Sequence, residues 1–106
     1  MSAPQQAEVW WAELDEKRRP VLVVTRSEAT SVLGRLVVAP LTRTVRGIPT
    51  EVPLGEADGL RDECAASFDN LETVLRSLLT TRVSPATVDR KARLCAALSA
   101  LAACNA

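Results

Sequence analysis

Apolar positions come in short β-type runs separated by polar turns, until one helical stretch closes the chain. Ala7 to Leu14 (Ala-Glu-Val-Trp-Trp-Ala-Glu-Leu) reads as a strand, since Val and paired Trp suit a pleated surface. Of Trp10 and Trp11, one faces the core; the other goes to an outer face, a ligand groove or a dimer contact. Pro20 to Thr25 is nearly continuous in Val and Leu, which predicts a strand buried on both faces, with Pro20 at its first position. Ser27 to Gly34 is a loop. Arg35 to Thr42 is the next strand, with Pro40 marking an edge or bulge. Gly47 is the positive-φ residue of a following turn. Thr50–Leu54 and Cys64–Phe68 are further strands, separated by an acidic loop, and Asp69-Asn70 breaks the second. A short turn and a last strand fill Val74 to Val83.

From Ser84 the period changes. Ser84 at N-cap and Pro85 at N1 predict a helix over 84–103. Val88, Ala92, Cys95, Leu98 and Ala102 recur at three- and four-residue spacing, widened by Leu94 and Leu101, and form the expected core stripe. Arg90, Lys91 and Arg93 fall on or beside the expected solvent face. No helix separates the strands, so parallel βαβ units are excluded. The pattern predicts a mainly β (α+β) chain: a small, strongly bent antiparallel sheet or open barrel with a C-terminal helix. Its 106 residues are one domain's worth, with 1–6 expected to be disordered.

Composition narrows the chemistry. There is no His, which removes Ser-His-Asp and Cys-His catalysis and a two-imidazole ribonuclease mechanism. Cys64, Cys95 and Cys104 form no CxxC and read as small buried residues of a reducing compartment. There is no apolar run of membrane length and no signal peptide, so a cytoplasmic protein without a membrane partner is expected. No cofactor or metal motif is present. Net charge is zero but unevenly spread: residues 17–46 carry +6, and residues 51–72 carry −6. A basic segment of Lys17, Arg18, Arg19, Arg26, Arg35, Arg43 and Arg46 fits a phosphate-rich ligand. Charge alone fits scattered solvated side chains as well.

If the two central runs pair antiparallel, Arg19 at the start of one meets Thr42 at the end of the other. A guanidinium fork matches phosphate oxygens and stabilises the charge of a phosphorane, and a hydroxyl donates to a second oxygen. These parts suit RNA cleavage in which the substrate's own 2′-OH is the nucleophile. By pattern alone, an exposed Arg before a buried strand is the commoner arrangement.

Five segments in order shift that balance: Glu8-Val-Trp-Trp-Ala-Glu-Leu, Arg19-Pro-Val-Leu-Val-Val-Thr-Arg, Val37-Val-Ala-Pro-Leu-Thr, Gly47-Ile-Pro-Thr-Glu-Val and Ser67-Phe-Asp-Asn-Leu-Glu-Thr. Together they resemble the MazF/PemK family of toxin endoribonucleases. The resemblance implies an SH3-like, CcdB-like barrel acting as a homodimer. It implies sequence-specific, metal-independent cleavage of single-stranded RNA to 2′,3′-cyclic phosphate and 5′-OH ends. It places catalytic roles on Arg19 and Thr42, and RNA contacts on Arg26, Asp69 and Asn70. Lys17, Arg18, Arg43, Thr44 and Arg46 are the basic and polar neighbours expected to hold RNA beside them. A cognate MazE-like antitoxin is the implied protein partner. The family's longer loop before Arg-Pro shrinks here to Asp15-Glu16-Lys17-Arg18, leaving Asp15 or Glu16 as substitutes for a family carboxylate proposed as general base. The alternative on the same barrel is a non-enzymatic CcdB-like toxin acting on a protein such as DNA gyrase. It works through a C-terminal aromatic that this chain lacks.

Overall fold

The computed structural model describes residues 3–103. The strands are β1 (Val9–Leu14), β2 (Lys17–Val23), β3 (Arg35–Thr42), β4 (Glu51–Leu54), β5 (Cys64–Ser67), β6 (Glu72–Leu75) and β7 (Leu79–Ser84), followed by helix α1 (Val88–Ala102). All pairings are antiparallel, in the order β4-β5-β3-β2-β1-β7, with β6 on β3 as well. This is the expected class, a bent, mainly β sheet with a terminal helix. The sequence pattern did not resolve β6, which has only four residues before a 3-10 turn at Arg76–Leu78.

The run Val21-Leu-Val-Val is buried on both faces, as its continuous apolar character predicts. Leu22 and Val24 join a cluster with Val9, Ala39, Leu41, Phe68 and Leu94, under α1. Val21 and Val23 face a second cluster with Trp10, Leu36, Val38, Val74 and Leu79. Trp10 is the core tryptophan, and its indole N–H is satisfied by Glu8 at 2.9 Å.

Strand β2 begins earlier than its apolar run. Leu14 pairs with Lys17, so Asp15-Glu16 is a two-residue hairpin turn, with Asp15 at φ 50°. Asp tolerates that left-handed conformation better than most residues. Pro20 is therefore the fourth residue of β2, not the first. It is tolerated there because of what lies beside it. The Val23 amide donates to Glu8 on the β1 side, and the Val24 amide to Val37 on the β3 side. Alternation aims position 20 at β3, where the β2–β3 ladder stops at Val21↔Pro40. Pro40 sits at a similar break. On the opposite edge of β3, pairing with β6 ends at Val38↔Glu72 and pairing with β5 begins at Leu41↔Ala66. Each proline withholds a donor where none is used.

Three expectations need correction. Residues 3–6 are held in place rather than disordered: Gln6 donates through its backbone to Ser27 and through its side chain to Val24, and Pro4 is buried. Met1 and Ser2 lie outside the described residues. The helix starts at Val88, capped by the Thr87 hydroxyl, because Ser84 completes β7. It is also rotated from the expected orientation. Arg90, Leu94 and Ala97 are buried, while Val88 is 87% exposed, and Ala92, Cys95, Leu98, Leu101 and Ala102 are exposed.

Arg90 accounts for that rotation. Its guanidinium donates to the Ala7 and Pro85 carbonyls, the Ser84 hydroxyl and Asp58 Oδ1, at 2.8–3.0 Å. It ties the N-terminal segment, the end of β7 and the acidic loop to α1. Burial pushes the Asp58 carboxyl up, but the Arg90 hydrogen bond, the Gly55 amide and the charges of Arg90 and Arg93 outweigh it. The net result is a carboxyl below its ordinary 3.8. Stabilisation from this pair is therefore present above the ordinary pKa and lost as pH falls through the lowered folded-state value. Asp58→Asn should destabilise the fold by about 2–3 kcal/mol at neutral pH, because it leaves Arg90 with an uncompensated buried charge. Denaturant melts at pH 7 and pH 3 check this: the deficit should shrink at the lower pH.

Candidate active site

The β2–β3 ladder, continued two pairs past Val21↔Pro40, sets Arg19 opposite Thr42. The extrapolated register aligns the two positions, but the ladder ends at Val21↔Pro40 and no hydrogen bond joins Arg19 to Thr42. The strands are not paired there. Thr42 pairs with Ala65 of β5 on the other edge of β3, its edge toward β2 is left unpaired, and the sheet splits. A groove of about 490 Å³ opens at the split, lined by Trp11, Arg18, Pro20, Leu41, Thr42, Arg43, Leu60, Arg61, Asp62 and Cys64. Its floor is apolar and its rim carries three arginines and one aspartate.

The Thr42 hydroxyl oxygen accepts from the Thr44 amide at 3.1 Å, which leaves the hydroxyl proton to donate elsewhere. Arg19 is exposed and makes no hydrogen bond or ion pair with the described residues, so all five of its N–H donors are available. Its neighbour Arg18 is already engaged. Arg18 Nε donates to Glu13 at 2.9 Å and Nη2 to Thr81 at 3.3 Å, and its guanidinium carbon sits 4.8 Å from the Trp11 ring centroid. Strand alternation puts Arg18, Pro20 and Trp11 on one face and Arg19 on the other. Arg18 is accordingly the one that lines the groove.

The other predicted residues divide into two groups. Lys17 is at the same rim, beside the exposed turn of Asp15 and Glu16. Arg43 lies on the groove and pairs with Asp62 at 3.4 Å. Thr44 and Arg46 belong to the exposed loop that follows Thr42. Buried Glu51 fixes that loop by accepting the Arg46 and Gly47 amides, with Gly47 at φ 68° as expected. Arg26 stands just beyond the far end of β2, roughly 20 Å of extended strand from Arg19. Asp69 and Asn70 lie past the other end of β5, bonded to Thr50 and Ser67. The fold does not bring these three into the groove.

The +6 and −6 segments meet in space. Arg43–Asp62 and Arg46–Glu51 join them directly, and Glu13 neutralises Arg18. Of the bases in 17–46, Lys17, Arg19, Arg26 and Arg35 remain without an ion pair among the described residues. The unspent positive charge of the segment is thus smaller than the sequence suggests and split in two: Lys17 and Arg19 lie at the Thr42 end of β2 and β3, Arg26 and Arg35 at the other end.

The family model described as PemK-like, MazF-like toxin of type II toxin-antitoxin system matches residues 5–102. The chain belongs to this family. A relative from Mycobacterium tuberculosis (strain ATCC 25618 / H37Rv), named Probable endoribonuclease MazF5, is 36% identical over 104 residues, covering 96% of this chain and 95% of the relative. Among solved structures, Mycobacterium tuberculosis toxin MazF-mt6 is 33% identical with a TM-score of 0.79, over 88% of this chain and 93% of that one. An Endoribonuclease from Mycobacterial species is 26% identical with a TM-score of 0.82, over 100% and 97%. Membership in the PemK/MazF family sets aside the CcdB-like alternative.

Several lining residues of this MazF-like groove were not singled out from sequence: Pro20, Leu41, Leu60, Arg61, Asp62 and Cys64. Arg61 left a signal, as the single base within an otherwise acidic stretch. The rest read as ordinary core or loop. Cys64 is buried, and burial, followed by the charges of Asp58 and Asp62, raises its thiol above the ordinary value. It is a wall of the groove and a poor nucleophile. Cys95 is exposed, contrary to the expectation of buried cysteines, and Cys104 lies outside the described residues. Iodoacetamide at pH 8 should label Cys95 at least about tenfold faster than Cys64, read by peptide mass spectrometry.

Proposed function

We propose that this chain is a metal-independent toxin endoribonuclease that cuts single-stranded RNA at the Arg19–Thr42 rim. The observation that carries this reading is an unpartnered guanidinium set opposite a hydroxyl with a free proton, at the open end of a split sheet, in a MazF-family chain. The nucleophile comes from the substrate. The ribose 2′-oxygen bonds to phosphorus, the P–O5′ bond breaks, and the 2′ proton leaves to a base. The leaving 5′-oxygen takes up a proton. Products are a 2′,3′-cyclic phosphate and a 5′-OH.

In this reading Arg19 holds the phosphodiester and offsets the extra negative charge of the phosphorane. Such a group contributes most where it is prepositioned and its donors are not already bonded. That favours Arg19 over Arg18, whose Nε–Nη2 edge is taken by Glu13 and Thr81. Thr42 donates to a phosphate oxygen or to the leaving oxygen. Asp15 and Glu16 are the carboxylates nearest along the chain to serve as proton acceptor. The loop from Arg43 to Arg46, fixed by Glu51, follows the RNA backbone. The chain works as a homodimer, and a cognate antitoxin with an acidic, apolar tail covers the basic rim. Membership in a type II toxin-antitoxin family supports that partner. No helix among the described residues is long and apolar enough to cross a membrane.

Purified protein incubated with a long RNA, with cut positions and end groups mapped, tests the reading. Arg19→Ala should cut at least about 100-fold more slowly with its thermal melt unchanged. Wild-type cutting by that variant would sink the assignment. Thr42→Val should lose a comparable factor and Thr42→Ser should retain most activity, since only the serine keeps the hydroxyl. Cutting should persist in EDTA and fail where the scissile ribose is 2′-deoxy.

A further inference from the structure

Arg18 and Trp11 are more than part of a basic rim. Trp11 lies on the groove face, directly opposite Pro20, with its ring half-buried. The Arg18 guanidinium is 4.8 Å from the ring centroid, a stacked cation–π distance. Its edge donors are directed to Glu13 Oε2 and Thr81 Oγ1. Glu13 Oε2 in turn accepts from the Thr80 hydroxyl at 3.0 Å, so the carboxylate that fixes Arg18 is itself fixed by β7. The Arg18 side chain remains 49% exposed.

This is an unusual state for a phosphate ligand. A phosphate is gripped by the edge of a guanidinium, where two N–H groups point together; on Arg18 the Nε–Nη2 edge is occupied, which leaves three of the five N–H groups and both faces. What Arg18 offers the groove is a flat face, backed by a tryptophan. Flat guanidinium and aromatic faces are what unpaired nucleobases stack on. Charge complements the surroundings too: Arg43 and Arg61 line the same apolar groove, and their charge favours a phosphate backbone there. Asp62 faces them and already pairs with Arg43.

We propose that the Trp11–Arg18 stack is a nucleobase platform, on which one unpaired base next to the scissile phosphate lies against the guanidinium plane. The proposal rests on the ribonuclease reading, and it gives Arg18 a role in selecting and seating the RNA rather than in the chemistry. The base layered on Arg18 would extend a three-plate pile of indole, guanidinium and base, one residue from Arg19 and at the wall formed by Thr42.

The test uses the whole chain and a 2′-O-methyl RNA of the mapped cut sequence, which binds but cannot be cut. Affinity is measured by fluorescence anisotropy at several salt concentrations. Arg18→Lys keeps the charge and loses the plane. It should bind roughly tenfold more weakly than wild type, with the salt dependence unchanged. Trp11→Leu should lose a similar factor, and Trp11→Phe should recover most of it. Cutting of unmodified RNA at saturating concentration should fall less than the affinity. If Arg18→Lys binds as tightly as wild type, or if loss at Arg18→Ala comes with a shallower salt slope, Arg18 is a phosphate contact and the proposal is wrong. If wild type cuts RNA while Trp11→Leu, folded by its thermal melt, binds normally, the proposal fails and the ribonuclease reading stands. If wild type neither binds nor cuts, both fall.

Discussion

Two missing N–H groups shape this molecule. Pro20 would aim its donor at β3, and Pro40 its donor at the edge β3 shares between β6 and β5. Because neither can donate, β2 and β3 part after Val21↔Pro40, and β3 changes partners at Pro40. One strand thus belongs to two sheets, and the groove opens at the fork. In a continuous ladder, Thr42 would pair with Arg19 along the backbone and leave no room for a ligand between them. Proline inside a strand usually weakens a sheet. Here it decides where the sheet is allowed to split.

The opposite side of the molecule is held by charge rather than by apolar area. Arg90 is 1% exposed and reaches four acceptors from three segments. A buried guanidinium is tolerated only when its donors are matched, and here all but Nε are. That match sets the rotation of α1 and turns its more apolar stripe to solvent. The same principle of matched charge narrows the basic field. Acidic residues of the 51–72 segment engage Arg43, Arg46 and Arg90, and Glu13 engages Arg18. Bases left without such partners, Arg19 foremost, are the ones in a position to meet a phosphate.

Such a site asks little of the protein. A ribonuclease of this type needs no nucleophile of its own, and a chain without histidine is consistent with that. Its contribution is position and charge at one rim. The division of labour between adjacent arginines follows from their partners. In the proposed reading Arg19 keeps all its donors for phosphate, while Arg18 spends its Nε–Nη2 edge on Glu13 and Thr81 and presents a face.

The sequence by itself determined the mainly β class, the strand Arg35–Thr42 to the residue, the doubly buried Val21–Val24 run, the positive φ of Gly47 and the antiparallel order that puts the start of β2 toward the end of β3. Those follow from local periodicity and strand order, which the chain carries openly. The five ordered segments also pointed to the PemK/MazF family. Tertiary structure alone decided which tryptophan is core and which faces the groove. It also decided that Arg18 rather than Arg19 lines that groove, and that Arg26, Asp69 and Asn70 lie elsewhere. The helix departs from its sequence pattern because its apolar stripe is not its buried face. Periodicity reports amphipathicity, but burial of Arg90 depends on acceptors from residues 5 to 83 positions away. No local pattern records such partners, and they are fixed only when the distant segments meet.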